Sequence, residues 1–228
     1  MVLELILLLI CAYLLGSVQF ATIFARRKGV NLCSSGSRNP GASNVLASTK
    51  DVKMAAAVFL LDTLKGVTLV LVAKWVGLDI VAQLWVALFA VIGHDFPIFF
   101  GFKGGRGVLT SMGGILATNV WSGIALLAIV FAIFTPIFKN QPLGVFVSFL
   151  LMPFLPLIFG YASVGFAVYL PMICIELLGL SRRIFVSRRP ISQNTLAGEL
   201  FINRLLFDRD IKDRDTWINA TKNDNQTA

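Results

Sequence analysis

The fold class predicted by this 228-residue sequence is an all-α integral membrane bundle of about seven transmembrane helices, with its N-terminus outside and its C-terminus in the cytoplasm. Three observations predict it. Mean hydropathy is +0.80, and only 14% of residues are charged, where soluble domains carry about a quarter. Apolar stretches long enough to cross a hydrocarbon core of roughly 30 Å recur along most of the chain. Lysine and arginine alternate from one connection to the next, as the positive-inside rule requires.

The elements follow in order. Residues 2–25 start with no basic region and carry Glu4, so they read as a retained first span rather than a cleaved signal. Spans then fall near 53–74, 80–100, 108–119, 120–138, 142–159 and 161–180. The fourth is too short to cross untilted, and it is either a half-span or shares residues with its neighbour, which leaves six as the alternative count. Arg26, Arg27, Lys28, Arg38, Lys50 and Lys53 lie in or beside the first connection. Lys103 and Arg106 lie in the third, Lys139 in the fifth, and Arg182, Arg183, Arg188 and Arg189 after the last. The even connections offer only Lys74, beside Asp79, and an even span count would break the alternation.

Residues 1–180 thus form a multi-span membrane domain, and 181–228 a polar cytoplasmic tail. Within the tail, "LAGELFINRLLF" predicts a short amphipathic helix on the membrane surface, with disorder beyond it to Ala228. The net charge of +8 belongs mostly to the cytoplasmic face and suits anionic lipid headgroups, while no nucleic-acid module is legible. Cys11, Cys33 and Cys174 show no CxxC spacing and accompany a single histidine, so no disulfide framework, metal site or cofactor is expected. Oligomeric state is not encoded in these patterns, and a monomer is compatible with them.

Three polar clusters interrupt the apolar background, all on the predicted cytoplasmic side. In "GVNLCSSGSRNPGASNV", residues 29–45, Gly36, Pro40 and Gly41 punctuate a segment rich in Ser and Asn. It is either an ordinary polar connection or a nest of donors, with Ser37, Arg38, Asn39 and Asn44, for an anionic ligand. In "LLDTLKGV", residues 60–67, Asp62 and Lys65 share one helix face. Ionisable groups at that depth usually face a bundle interior, as a neutralised structural pair or as part of a site. In "GHDFPIFFGFKGGRG", residues 93–107, a glycine-rich loop opens into a helix at Val108, a geometry suited to phosphate, with Lys103 and Arg106 adding charge. His94, the single histidine, is either a hydrogen-bonded structural residue or a base. Neither a Walker A loop nor a GxSxG elbow is present, which argues against nucleotide cradling and covalent serine catalysis.

At these clusters the sequence resembles the bacterial acyl-phosphate:glycerol-3-phosphate acyltransferases, the PlsY family. "GSRNPGASN" at 36–44, "DTLKG" at 62–66, "GHDFP" at 93–97 and "FKGGRG" at 102–107 are similar to family motifs and occur in family order; Ser148 in "FVSFLLMPFLP" resembles a further one. The resemblance implies a seven-helix enzyme of the cell membrane, its active site facing the cytoplasm, that moves an acyl chain from acyl-phosphate to the first hydroxyl of glycerol 3-phosphate. The products would be lysophosphatidic acid and phosphate. It implies catalytic roles for Ser37, Arg38, Arg106 and His94, and phosphate contacts from Lys103, Gly104, Gly105, Gly107, Asn39, Asn44 and Ser148. Asp62, Lys65 and Gly41 would support the site. Backbone N–H groups of the three loop glycines would close on phosphate.

The sequence departs from the family pattern at Gln19, where a proline is typical, and at Arg38, Ala47 and Arg106, where glycine, arginine and lysine are usual. The family's histidine-containing tail motif is replaced by "SRRIFVSRR". These departures motivate two alternatives, transfer to another acceptor and a non-catalytic lipid-binding protein of the same fold. Transport of organic phosphates is a further reading, which the one-sided polar clusters and the absence of an internal repeat disfavour.

Overall fold

The computed structural model describes residues 2–185, 196–213 and 216–217, and those residues contain helices and turns but no strands. Arg188, Arg189 and most of the segment expected to be disordered lie outside them. The helices are α1 (Val2–Gly16), α2 (Phe20–Arg27), α3 (Ala42–Thr49), α4 (Val52–Trp75), α5 (Ile80–Asp95), α6 (Val108–Thr118), α7 (Val120–Leu127), α8 (Gln141–Leu151), α9 (Leu155–Ile158), α10 (Tyr169–Phe185) and α11 (Ala197–Phe207).

Among the described residues, four helical segments are long and apolar enough to cross a membrane: Val2–Arg27, Val52–Trp75, Ile80–Phe100 and Gln141–Ile158. Two shorter apolar helices, Val108–Thr118 and Val120–Phe134, lie between the third and fourth. They are separated at Asn119, whose extended backbone breaks the run and whose side chain caps α7 by accepting from the Ser122 N–H. The α7 axis continues through a π-helical segment, Ala128–Phe134. The last expected span differs from the sequence reading, because two 3₁₀ turns, Ala162–Val164 and Phe166–Val168, precede α10, which then runs on to Phe185. Gly160 and Gly165, at φ +79° and +90°, set this irregular entry.

The core is held by close helix crossings rather than by large side chains. A Cβ on Gly93 of α5 would strike the Tyr13 carbonyl of α1, and one on Gly16 would strike Ala90 of α5. The same holds between α4 and α6, where Gly66 lies against the Thr110 carbonyl and Gly113 against the Thr63 carbonyl. In lipid, helix association draws little from the hydrophobic effect and depends on such small-residue contact. The outward faces are apolar, with Leu3, Leu60, Trp75, Trp121 and Leu157 all exposed, as a lipid-facing surface demands.

The tail helix does not stand alone. Helix α11 docks on α8 and α10: the buried Arg183 of α10 donates to the Leu205 carbonyl at 2.7 Å and to the Pro142 carbonyl of α8 at 2.7 Å, and Arg204 donates to the Ile184 carbonyl at 3.2 Å. A guanidinium buried this deeply needs acceptors, and here they are the Leu205 carbonyl, in the last turn of α11, and the Pro142 carbonyl at the start of α8.

Candidate active site

The two crossings bring the ionisable residues of α4 and α5 together. Lys65 pairs with Asp62 at 3.0 Å. It also donates to the carbonyls of Gly16 and Val18, both at 3.1 Å, where α1 breaks before α2. The ammonium thus faces one carboxylate and two carbonyls, and it joins α4 to the break between α1 and α2. Asp62 faces His94, whose Nδ1 lies 3.9 Å from its carboxylate.

The glycine loop is shaped by α5 rather than by an open cradle. The Gly105 N–H donates to the His94 carbonyl at 3.1 Å, and Gln19 donates to the same carbonyl at 2.7 Å. That N–H is therefore paired with a carbonyl of α5, where the sequence reading has it closing on phosphate. The glycines answer to space: a Cβ on Gly104 would meet the carbonyls of His94 and Asp95, and one on Gly105 would meet the His94 imidazole. Gly107 begins α6 with φ +61°, the left-handed region that glycine adopts without strain. Arg182 grips the outer side of the loop, donating through Nη2 to the Gly104 carbonyl at 2.8 Å and through Nε to the Gly105 carbonyl at 3.0 Å. Its guanidinium also covers the Phe96 ring at 5.0 Å.

The polar segment after α2 folds around one residue. The Asn44 Oδ1 accepts from the Ser37 N–H at 3.0 Å and the Ser48 hydroxyl at 3.2 Å, while Nδ2 donates to the carbonyls of Leu32 and Ser35. These four bonds make Asn44 the organiser of the segment. Gly36, at φ +56°, lies directly against that amide.

These elements enclose a cavity of about 980 Å³. Ser37, Asn39, Gly41, Asn44, Asp62, His94, Arg106 and Gly107 line it. Arg38, Lys65, Lys103, Gly104, Gly105 and Ser148 do not line it. Lys103 is exposed, and Ser148 is buried with its hydroxyl turned to the Leu126 carbonyl at 3.4 Å. Phe59, Leu109, Phe131 and Val145 supply an apolar flank.

Arg106 decides the character of the polar end. It is 7% exposed, one terminal nitrogen pairs with Asp208, and its Nε and Nη2 are buried without a hydrogen-bond partner among the described residues. Arg183, Lys50, Lys139 and Arg209 also face the cavity, so cations outnumber the carboxylates of Asp62 and Asp208. Such a field concentrates anionic ligands.

Sequence reasoning missed Arg182, Arg183 and Asp208. Adjacent arginines at the end of an apolar helix were a visible signal, but they had been assigned only to orientation. It also missed Asp95, fully buried beneath the loop with neither carboxylate oxygen partnered among the described residues.

The glycerol-3-phosphate acyltransferase family model matches residues 6–186. The chain belongs to this family. Among curated members, it is 35% identical over 219 residues to glycerol-3-phosphate acyltransferase 5 of Dehalococcoides mccartyi, covering 94% of this chain and 92% of that one. It is 44% identical over 154 residues to the glycerol-3-phosphate acyltransferase of Thiobacillus denitrificans, covering 65% of this chain and 76% of that one. It is also similar to the crystal structure of PlsY, an integral membrane glycerol 3-phosphate acyltransferase, in its glycerol 3-phosphate form: TM-score 0.72, 34% identity, 79% of this chain and 88% of that chain. The family match stops at residue 186, so α11 and Asp208 lie beyond it.

Proposed function

We propose that this acyltransferase-family protein transfers an acyl group from acyl-phosphate to the 1-hydroxyl of glycerol 3-phosphate, giving lysophosphatidic acid and phosphate. The observation that carries the reading is Arg106, a buried guanidinium in a cation-rich cavity whose Nε and Nη2 make no hydrogen bond within the described residues. A planar fork of donors suits a phosphoryl group. The apolar flank of Phe59, Leu109, Phe131 and Val145 suits the acyl chain.

The chemistry needs no nucleophilic side chain. The 1-hydroxyl oxygen attacks the acyl carbonyl carbon, the carbon–oxygen bond to the phosphoryl group breaks, and phosphate leaves with the electron pair and takes up the hydroxyl proton. Arg106 and Ser37 hold phosphoryl oxygens and stabilise the charge that develops on them, and fixing both anions in one cavity supplies proximity. His94, with its ring against Gly105 and its Nδ1 toward Asp62, positions the loop.

The same proposal includes seven spans in the cell membrane: α1 with α2, α4, α5, α6, α7 with its π-helical extension, α8 with α9, and α10. The N-terminus lies outside, and the cavity faces the cytoplasm. The alternation of basic connections supports this orientation, as does the tail, since Phe207 and Asp208 line the same cavity as the basic connections.

The test is phosphate release from palmitoyl phosphate by purified protein, with and without glycerol 3-phosphate. The expected outcome is release that depends on glycerol 3-phosphate, yields lysophosphatidic acid and falls by about 10²-fold or more in Arg106→Ala. Release with a different acceptor only would move the reading to the altered specificity that Ala47, a cavity-lining residue, motivates. Folded protein with no release for any acceptor would overturn acyl transfer.

A further inference from the structure

The chain beyond the family match returns to the catalytic cavity. Helix α11 ends at Phe207, and Asp208 follows with φ +59°, the left-handed conformation that turns the chain sharply at a helix end. This turn delivers the Asp208 carboxylate to Arg106, with the pair almost closed off from solvent at 7% and 13% side-chain exposure. Phe207, Asp208 and Arg209 become part of the cavity wall.

The placement is built rather than incidental. Arg204 donates to the Asp210 carboxylate at 2.7 Å, the buried Asn203 donates to the Asp210 carbonyl at 3.2 Å, and Arg183 ties α11 to the ends of α8 and α10. Two buried residues, Asn203 and Asp210, are thus spent on fixing the backbone on either side of Asp208.

The Asp208 carboxylate takes Nη1 of Arg106, beside the Nε and Nη2 donors proposed for phosphate. A phosphoryl group on those donors would sit a few ångströms from the carboxylate, and two anions on one guanidinium repel at that separation. We propose that Asp208 is an affinity-determining residue of the phosphate site: the tail carboxylate holds Arg106 until a phosphate ligand displaces it. This rests on the reading of Arg106 as the phosphate-binding cation. The linkage is simple. If the pair is closed about nine-tenths of the time, the apparent dissociation constant for phosphate is raised about tenfold over the intrinsic one.

The displaced tail need not leave the protein. The Arg183–Leu205 and Arg204–Ile184 bonds lie N-terminal to the αL turn and can persist while Asp208 swings away, and the bonds that Asp210 makes to Arg204 and Asn203 are the ones that yield.

The experiment measures inorganic phosphate binding by calorimetry to the full chain, to Asp208→Asn and to the double variant Asp208→Asn/Arg106→Gln, with hydrogen exchange of wild-type residues 203–210 as a readout that needs no substitution. Asp208→Asn is expected to bind phosphate about tenfold more tightly, and the gain is expected to vanish in the double variant. In wild-type protein, saturating phosphate is expected to raise amide exchange around Asp208, whose N–H bonds the Arg204 carbonyl at 3.1 Å. Measurable wild-type binding with no gain in Asp208→Asn, or exchange that stays level or falls, would overturn the role of the tail and leave the phosphate site standing. Phosphate binding by neither wild-type protein nor Asp208→Asn would overturn both.

Discussion

The floor of the cavity and its rim are built in different ways. The floor is backbone on backbone: α1 crosses α5 and α4 crosses α6 at glycines with no side chain between them. The rim consists of two irregular segments, around residues 29–41 and 102–107, and the end of α11 with the turn that follows it, residues 203–210, each held by a polar side chain grasping carbonyls or N–H groups: Asn44, Arg182 and Arg183. The difference assigns tolerance. A crossing fails when anything is added to it, whereas a strung segment fails when its tether is removed.

The largest effect is expected at the floor. Gly93→Ala places a methyl group on the Tyr13 carbonyl, and because the obstacle is backbone the cost exceeds about 3 kcal/mol, the upper end of ordinary overpacking. The expected result is loss of monodisperse protein in detergent, measured by size-exclusion chromatography; a well-behaved variant would show that the crossing can spread.

At the rim, Arg182→Ala removes two charge-assisted hydrogen bonds from the glycine loop. At about 1.5–3 kcal/mol for a hydrogen bond to a charged group, turnover is expected to fall by about 10²-fold while the protein remains folded. Arg182→Lys should recover little, since an ammonium cannot reproduce the fork across two carbonyls. Full activity in the lysine variant would reduce the contact to simple charge.

A smaller change, of opposite sign, is expected in α11. Gly198 has nothing within 4 Å of an added Cβ, so Gly198→Ala should stabilise the helix by up to about 1 kcal/mol. Slower amide exchange across Ala197–Phe207 would register it.

The smallest effect is set by pH at the cap of α4. The Asp51 carboxylate accepts from the Met54 N–H at 3.0 Å and pairs with Lys28 at 3.2 Å. The Met54 N–H first and Lys28 second hold its carboxyl below the usual range. A depressed folded value means the stabilisation is fully present above the unfolded value of about 3.9 and is lost as pH falls through the folded one. The difference in melting temperature between wild-type protein and Asp51→Asn should therefore be constant above about pH 5 and shrink in acid. A difference that grows in acid would contradict the assignment.

Much of the floor was legible in the sequence because a hydrocarbon core imposes both a length and a composition on what crosses it. The pairing of Asp62 with Lys65 followed from their spacing. The rim was less legible. Arg182 reaches carbonyls 77 and 78 residues away, and no local pattern encodes a bond of that span. The amide of Asn44 reads from sequence as a ligand contact, and its four bonds to Leu32, Ser35, Ser37 and Ser48, which organise the segment, are not encoded in any local motif. The glycines of 104–107 carry the same ambiguity, since close packing and phosphate cradling both call for a missing Cβ. The docked tail was obscured because an amphipathic helix has the same sequence whether its apolar face meets lipid or protein.

Lys65 has a consequence for biogenesis. A lysine in the middle of an isolated transmembrane helix costs about 2.5–3.5 kcal/mol on entering the bilayer. Here the ammonium meets the open carbonyls of Gly16 and Val18, groups that the break after α1 would otherwise leave exposed to hydrocarbon. Each helix supplies what the other lacks, so the first two long segments are favoured to enter the lipid as a pair, and the order in which the chain leaves the ribosome presents them consecutively.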